Sequence, residues 1–279
     1  MNTGMAARGG RLAKLSGAGV VLLCVALAAP VFAYVSSATR AVTVPKHGHR
    51  AVTATCPRGQ NVTSGGVIAQ FDVAHDAIVY PTGMRKTAAG SWSVYGSSLS
   101  TTRGSQLTAV AYCANVNPVI TATKTVKVRE GQSGAATATC PAGTVVVGGG
   151  FNTRAFPHFE DVKGMERRTA RTWRVTILNI TGGGTSITAI AYCGHGAVPV
   201  MRAHAIRIAS GGGGTVRARC PAGTQLLFGG EVSAAPGVAV KLAHVFPFRF
   251  SAESKTSWAV AAGNGGGTAG TLTALAYCR

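Results

Sequence analysis

The sequence predicts an all-β protein built from three tandem units, each closed by its own disulfide. Three observations carry that reading. The phrase "LTAVAYC" at 107–113 returns as "ITAIAYC" at 187–193 and "LTALAYC" at 272–278. Each copy is preceded by a Cys-Pro-x-Gly turn with a Gly pair six residues after its glycine. Glycine is abundant at 38 of 279 residues while charged residues make up only 13%, a balance of strands and turns rather than long charged helices.

From the N-terminus, residues 1–33 read as a signal peptide. Arg8, Arg11 and Lys14 precede an uncharged apolar run that ends in the small-residue site Val31-Phe32-Ala33. Cleavage after Ala33 is expected; an uncleaved anchor over residues 15–35 is the alternative. Residues 34–40 read as a short linker. The units then run 41–124, 125–204 and 205–279, aligned without gaps over "AVTVPKHGHRAVTATC", "TVKVREGQSGAATATC" and "AIRIASGGGGTVRARC". Each block is a β-branched strand, a polar or Gly-rich loop and a second strand ending on Cys, which predicts a hairpin.

"CPRG" or "CPAG" follows, where Pro fixes φ and Gly accepts positive φ, so the chain turns sharply. The Gly pairs Gly65-Gly66, Gly149-Gly150 and Gly229-Gly230 predict a bulge or a close backbone approach. Trp92, Trp173 and Trp258 each open a Trp-x-Val strand, and a Gly/Ser/Thr-rich loop leads into the Ala-Tyr-Cys phrase, so a second hairpin is expected there. In that phrase Leu107, Ala109, Ala111 and Cys113 share one face, and Thr108, Val110 and Tyr112 the other. Both faces are largely apolar, as in a strand covered on both sides. With so few residues between copies, we expect the units to pack together with pseudo-threefold, β-prism-like symmetry. Three separate beads are the alternative.

Cys24 lies in the leader. The remaining six cysteines pair most economically within units, as Cys56–Cys113, Cys140–Cys193 and Cys220–Cys278. No Cys-x-x-Cys occurs and no metal or other cofactor is expected. The pattern Cys-Pro-x-Gly…Gly-Gly…Trp…Ala-Tyr-Cys over residues 41–279 resembles tandem modules of uncharacterised exported actinobacterial proteins. That resemblance brings with it no activity and no functional residues.

The formal net charge of +19 favours anionic partners. Removal of the leader's three basic residues leaves 24 Lys/Arg against 8 Asp/Glu, or +16. The units diverge over 67–91, 151–172 and 231–257, which hold seven of the eight acidic residues and one His each. Divergent segments on a repeated scaffold are where specificity resides. The candidate ligand-binding residues are therefore His75, Asp76, His158, Glu160, Asp161 and His244, with no catalytic set.

Several motifs weigh against enzymatic or nucleic-acid readings. "NVTSGG" around Ser64 resembles a protease nucleophile loop, yet no acidic residue precedes it and the other copies have Gly148 and Phe228. His47 and His49 fall in a turn of the first unit alone, and "GGGG" at 211–214 lacks the Lys-Ser/Thr of a phosphate loop. The Trp residues read as core rather than a sugar platform. Asp72/Asp76 and Glu160/Asp161 are carboxylate pairs without an equivalent in unit three. "RRTARTWR" at 167–174 is basic in one unit only, and no nucleic-acid signature accompanies it. The expectation is a secreted or cell-surface, non-enzymatic, lectin-like protein that binds a glycan or an anionic cell-wall polymer. A structural extracellular protein and a polysaccharide hydrolase are the alternatives.

Overall fold

The computed structural model describes residues 36–116, 119–153, 160–180, 183–234 and 245–279, and among them it is all β with no helix. The expected leader and cleavage site, with Cys24, lie outside the described residues. The first repeat contributes β1 (Ser36–Val44), β2 (His49–Thr55), β3 (Asn61–Ala69), β4 (Phe71–Asp72), β5 (Ala77–Ala88), β6 (Ser91–Ser98) and β7 (Ser105–Ala114). The second contributes β8 (Ile120–Val128), β9 (Ser133–Thr139), β10 (Val145–Thr153), β11 (Glu160–Thr169), β12 (Thr172–Asn179) and β13 (Thr185–Gly194). The third contributes β14 (Val200–Ile208), β15 (Gly213–Arg219), β16 (Leu226–Ala234), β17 (Val245–Ser254), β18 (Ser257–Asn264) and β19 (Gly270–Cys278). Residues 36–40, expected as linker, continue β1, because they pair antiparallel with Cys113 to Ala109 of β7.

Three six-strand ladders form, and no repeat owns any of them. The first runs β1-β7-β3-β17-β18-β15, the second β2-β6-β5-β10-β13-β8, and the third β14-β19-β16-β11-β12-β9, with β4 beside β5. Each repeat therefore gives three strands to one sheet and three to another, and the exchange closes cyclically. This rules out separate beads and is the pseudo-threefold prism expected from the repeats.

The topology corrects both expected hairpins. β1 pairs with β7 while β2 pairs with β6, so the turn between them rounds a corner between two sheets. The Trp strand β6 and the Ala-Tyr-Cys strand β7 also lie in different sheets. Two strands flanking a turn carry the same local signal whether they pair or part; the choice is made by distant partners. The true hairpins are β5–β6, β11–β12 and β17–β18, so much of each divergent segment is strand rather than loop.

Each repeat is a small sandwich around its tryptophan. Trp92, Trp173 and Trp258 are at most 1% exposed. A Cβ on the first glycine of each pair, Gly65, Gly149 or Gly229, would overlap that indole ring. Trp92 and Trp173 donate from Nε1 to the carbonyls of Gly66 and Gly150, both at 3.2 Å. The second glycine serves the neighbouring repeat. A Cβ on Gly66, Gly150 or Gly230 would strike the carbonyl oxygen of Phe250, Met84 or Met165. There β3/β17, β10/β5 and β16/β11 meet over only two residue pairs each. The pair of glycines thus lets one strand approach a ring on one face and a foreign backbone on the other.

The Ala-Tyr-Cys strands are covered on both faces, as expected. Ala109, Ala111 and Cys113 are fully buried, on the face toward the sandwich of their own repeat. The tyrosine points to the next one. Bulges in β17, β5 and β11 take a backbone N–H out of the ladder, and Ala252, Lys86 and Arg167 donate these N–H groups to Tyr112, Tyr192 and Tyr277. Three tyrosines staple three repeats in a ring.

The disulfides are Cys56–Cys113, Cys140–Cys193 and Cys220–Cys278, with Cα separations of 5.7, 5.6 and 5.6 Å. Each ties the end of a corner strand to the central strand of a different sheet. Loops of 57, 53 and 58 residues are closed, a constraint on the unfolded chain of about 4 kcal/mol each on chain entropy. Three such bridges belong to an oxidising compartment.

Candidate functional site

The expected ligand residues fall into different environments. Asp72 and His75 lie in and after the short β4, where His75 Nδ1 sits 2.7 Å from the Asp72 carboxylate. His75 holds the Asp72 carboxyl below the usual carboxylate range. Asp76 adopts φ 49° and accepts four hydrogen bonds of 2.8–2.9 Å from the backbone and hydroxyls of Thr101 and Thr102. Those bonds push its carboxyl down to about 2. Asp76 thus pins the β4–β5 turn to the β6–β7 loop. His158 and His244 lie outside the described residues.

Glu160 and Asp161, by contrast, are 4% and 3% exposed, at the start of β11. Thr185 donates its hydroxyl to Glu160, and Lys163 forms an ion pair with Asp161. Glu231 follows the glycine pair of the third repeat, at the position that Val67 and Phe151 occupy in the other two. All three side chains are fully buried. Neither oxygen of Glu231 has a hydrogen-bond partner among the described residues. Burial first, then the Asp161 carboxylate, raises its pKa well above the usual range; Lys163 opposes the shift and Glu166 adds a smaller push upward.

Burial of these three acids changes the surface charge. Of eight acidic residues, only Asp72, Asp76, Glu130, Glu166 and Glu253 reach solvent, while basic side chains dominate the outer strands. Glu166 and Glu253 already pair with Arg168 and Arg217. Exposed basic side chains therefore far outnumber exposed carboxylates.

Four arginines and a histidine gather on β14 and β15, at the vertex of the third repeat. At each vertex two sheet-edge strands pack side by side: β1 with β2, β8 with β9, β14 with β15. Between β14 and β15 a cleft of about 440 Å³ opens, lined by His204, Ile206, Thr215, Val216, Arg217 and Arg219. Strand alternation explains the lining. Val216 and Ala218 turn inward at 1% exposure, while Thr215, Arg217 and Arg219 turn outward. Arg217 and Arg219 stand where the other repeats carry Thr53 and Thr55, or Thr137 and Thr139. Position 204 is basic or titratable in all three copies, as Arg40, Lys124 and His204. Arg202 and Arg207 extend the basic surface along β14. Arg217 Nε is 2.6 Å from Glu253, and no carboxylate pairs with Arg219 among the described residues. The cleft offers planar guanidinium donors suited to phosphate or carboxylate. Inspection of the divergent segments alone overlooks it. The available signal was the Arg-x-Arg inside an otherwise repeated strand, just before Cys220.

The remaining motifs are structural. Ser64 is 2% exposed and donates to the Leu227 carbonyl, where three repeats converge. His47 occupies a turn with φ 49°. Gly211 and Gly212 make the corner and Gly213-Gly214 open β15. In the 167–174 run, Arg167 lies 4.9 Å from the Tyr277 ring centroid and Arg171 donates to the Cys140 carbonyl. No group of three or more His, Cys, Asp or Glu is arranged to hold a metal ion among the described residues. Asn179, in a glycosylation sequon, is fully buried and donates to the carbonyls of Val128 and Gly183. No protein-family model matches the chain, and comparison with curated proteins finds no match.

Proposed function

We propose that this is an exported, non-enzymatic binding protein that holds an anionic polymer of the cell envelope on its basic face, at the surface or outside the cell. The cleft between β14 and β15 carries this reading, because it sets Arg217, Arg219 and His204 on two facing strand edges. The high net charge extends the attraction beyond the cleft and speeds encounter with a polyanion. The rigid, disulfide-tied scaffold keeps the donors ordered before binding, so little entropy is lost on association.

The carboxylate pairs speak against hydrolysis. Glu160 and Asp161 are buried and engaged, and Asp72 and Asp76 are held ionised by their hydrogen bonds, which removes the general acid that glycoside cleavage needs. The test is retention on purified anionic cell-wall polymer across a salt series. Retention at low salt that falls steeply with added salt, and that weakens in Arg217→Gln/Arg219→Gln, is expected. Absence of retention at low salt would refute the proposal.

A further inference from the structure

A second cleft, of about 410 Å³, adjoins the basic one and shares Thr215 with it. It is lined on one side by the glycine strip Gly211–Gly214 and on the other by Phe71 and Phe248. The two rings are parallel, 2° apart in plane with centroids at 5.0 Å, and both are half-buried. Phe71 rests on Gly263 of β18, where any Cβ would collide with its ring. Val73 next to it is 66% exposed. Asp72 also lines this cleft.

The two clefts differ in charge, and the difference selects a ligand class. The Arg217/Arg219 end suits an anionic group. The Phe71/Phe248 end has an apolar aromatic edge, bare backbone and a carboxylate. A phosphate there would be repelled by Asp72, which His75 keeps ionised. A sugar ring would not. Its C–H face packs on apolar aromatic surface, and its hydroxyls donate to the carboxylate or to exposed strand carbonyls. We infer that the ligand is an acidic glycan lying across β15, with a carboxylate or phosphate in the arginine cleft and a neighbouring sugar ring against Phe71 and Phe248. This inference rests on the anionic-polymer reading and narrows it.

The test titrates the full exported chain, disulfides intact, at low salt with two probes: an oligogalacturonate methyl-esterified on part of its sugars, so that neutral rings flank acidic ones, and inorganic polyphosphate of equal charge. The oligogalacturonate is expected to bind more tightly. Phe71→Leu/Phe248→Leu, which keeps apolar volume without a ring, should weaken it about tenfold, the usual scale for losing an aromatic anchor, and leave polyphosphate unchanged. Arg217→Gln/Arg219→Gln should weaken both. Undiminished oligogalacturonate binding in the leucine variant, with loss in the glutamine variant, overturns the sugar inference while the anion reading stands. Equal weakening of both probes in the leucine variant assigns the rings a structural role and likewise overturns it. If neither probe binds, both readings fall.

Discussion

Replacing Glu231 by Val should stabilise this protein, and the gain should grow with pH. The side chain is fully buried with both oxygens unpartnered among the described residues, beside the Asp161 and Glu166 carboxylates. Lys163, the cation facing it, is held by Asp161. An unsatisfied buried polar group costs about 1–3 kcal/mol, so its removal gains about 2 kcal/mol near neutral pH. For a chain of this size that raises Tm by about 4–8 °C. The pH dependence follows from the raised pKa. Folding favours the protonated acid, so Glu231 imposes no ionisation penalty below its unfolded value near 4.5. The penalty then builds as pH rises toward the folded value. Calorimetric melts of both proteins from pH 4 to pH 8 isolate this effect, since every other titrating group is common to the two. The Tm gap should be smallest at pH 4 and widen upward. Glu231→Gln should show the same widening against the native protein but recover less stability, because an unpartnered amide remains, so the gap between the Gln and Val variants should not change with pH. A valine variant no more stable at pH 7, or a gap from the native protein that does not change with pH, would refute the argument.

Two further substitutions probe the joints between repeats. Gly150→Ala places a Cβ against the Met84 carbonyl, a backbone atom that cannot swing away; it should cost about 3 kcal/mol by overpacking, whereas Gly184→Ala, which meets nothing within 4 Å, should leave the denaturation midpoint unchanged. Tyr192→Phe deprives the Lys86 N–H of its acceptor at 2.6 Å and should cost about 1–3 kcal/mol in chemical denaturation, with a loss of similar size for Tyr277→Phe at Arg167.

The parts legible in the sequence were those enforced locally or repeated three times. Alternation in "LTAVAYC" gave the two buried faces, and one early and one late cysteine per copy gave the disulfides. The glycine pair gave a close approach. What alternation does not encode is which strand lies alongside. The block 41–56 reads as a hairpin because β1 and β2 flank a short turn, yet β1 finds Ser105–Cys113 and β2 finds Ser91–Ser97. The same limit hid the exchange of half-sheets, since a strand that completes its neighbour's sheet looks the same as one that completes its own. The charge of Glu160 and Asp161 and their place in a divergent segment suggest ligand contact, yet both are buried. Burial beside Lys163 and Thr185 depends on contacts between strands and leaves no periodic trace.

The joints that lock the prism also determine where it is free to vary. At the axis every repeat presents a glycine to a foreign carbonyl, and each Tyr accepts an N–H from the next repeat, so a change there disturbs two repeats at once. The outer positions of the vertex strands carry no such coupling. Thr53, Thr137 and Arg217 occupy one equivalent site, and Thr55, Thr139 and Arg219 the next. Both outward positions carry Thr in two repeats and Arg in the third, while the inward neighbours between them remain Ala54, Ala138 and Ala218. The substitution to Arg therefore changes the field at one vertex without touching the packing beneath it. Arg217 gains an ion pair with Glu253, but Arg219 has no carboxylate partner among the described residues and adds repulsion in a chain already strongly basic, so stability offers no reason for Arg219. The anionic ligand proposed above would supply one.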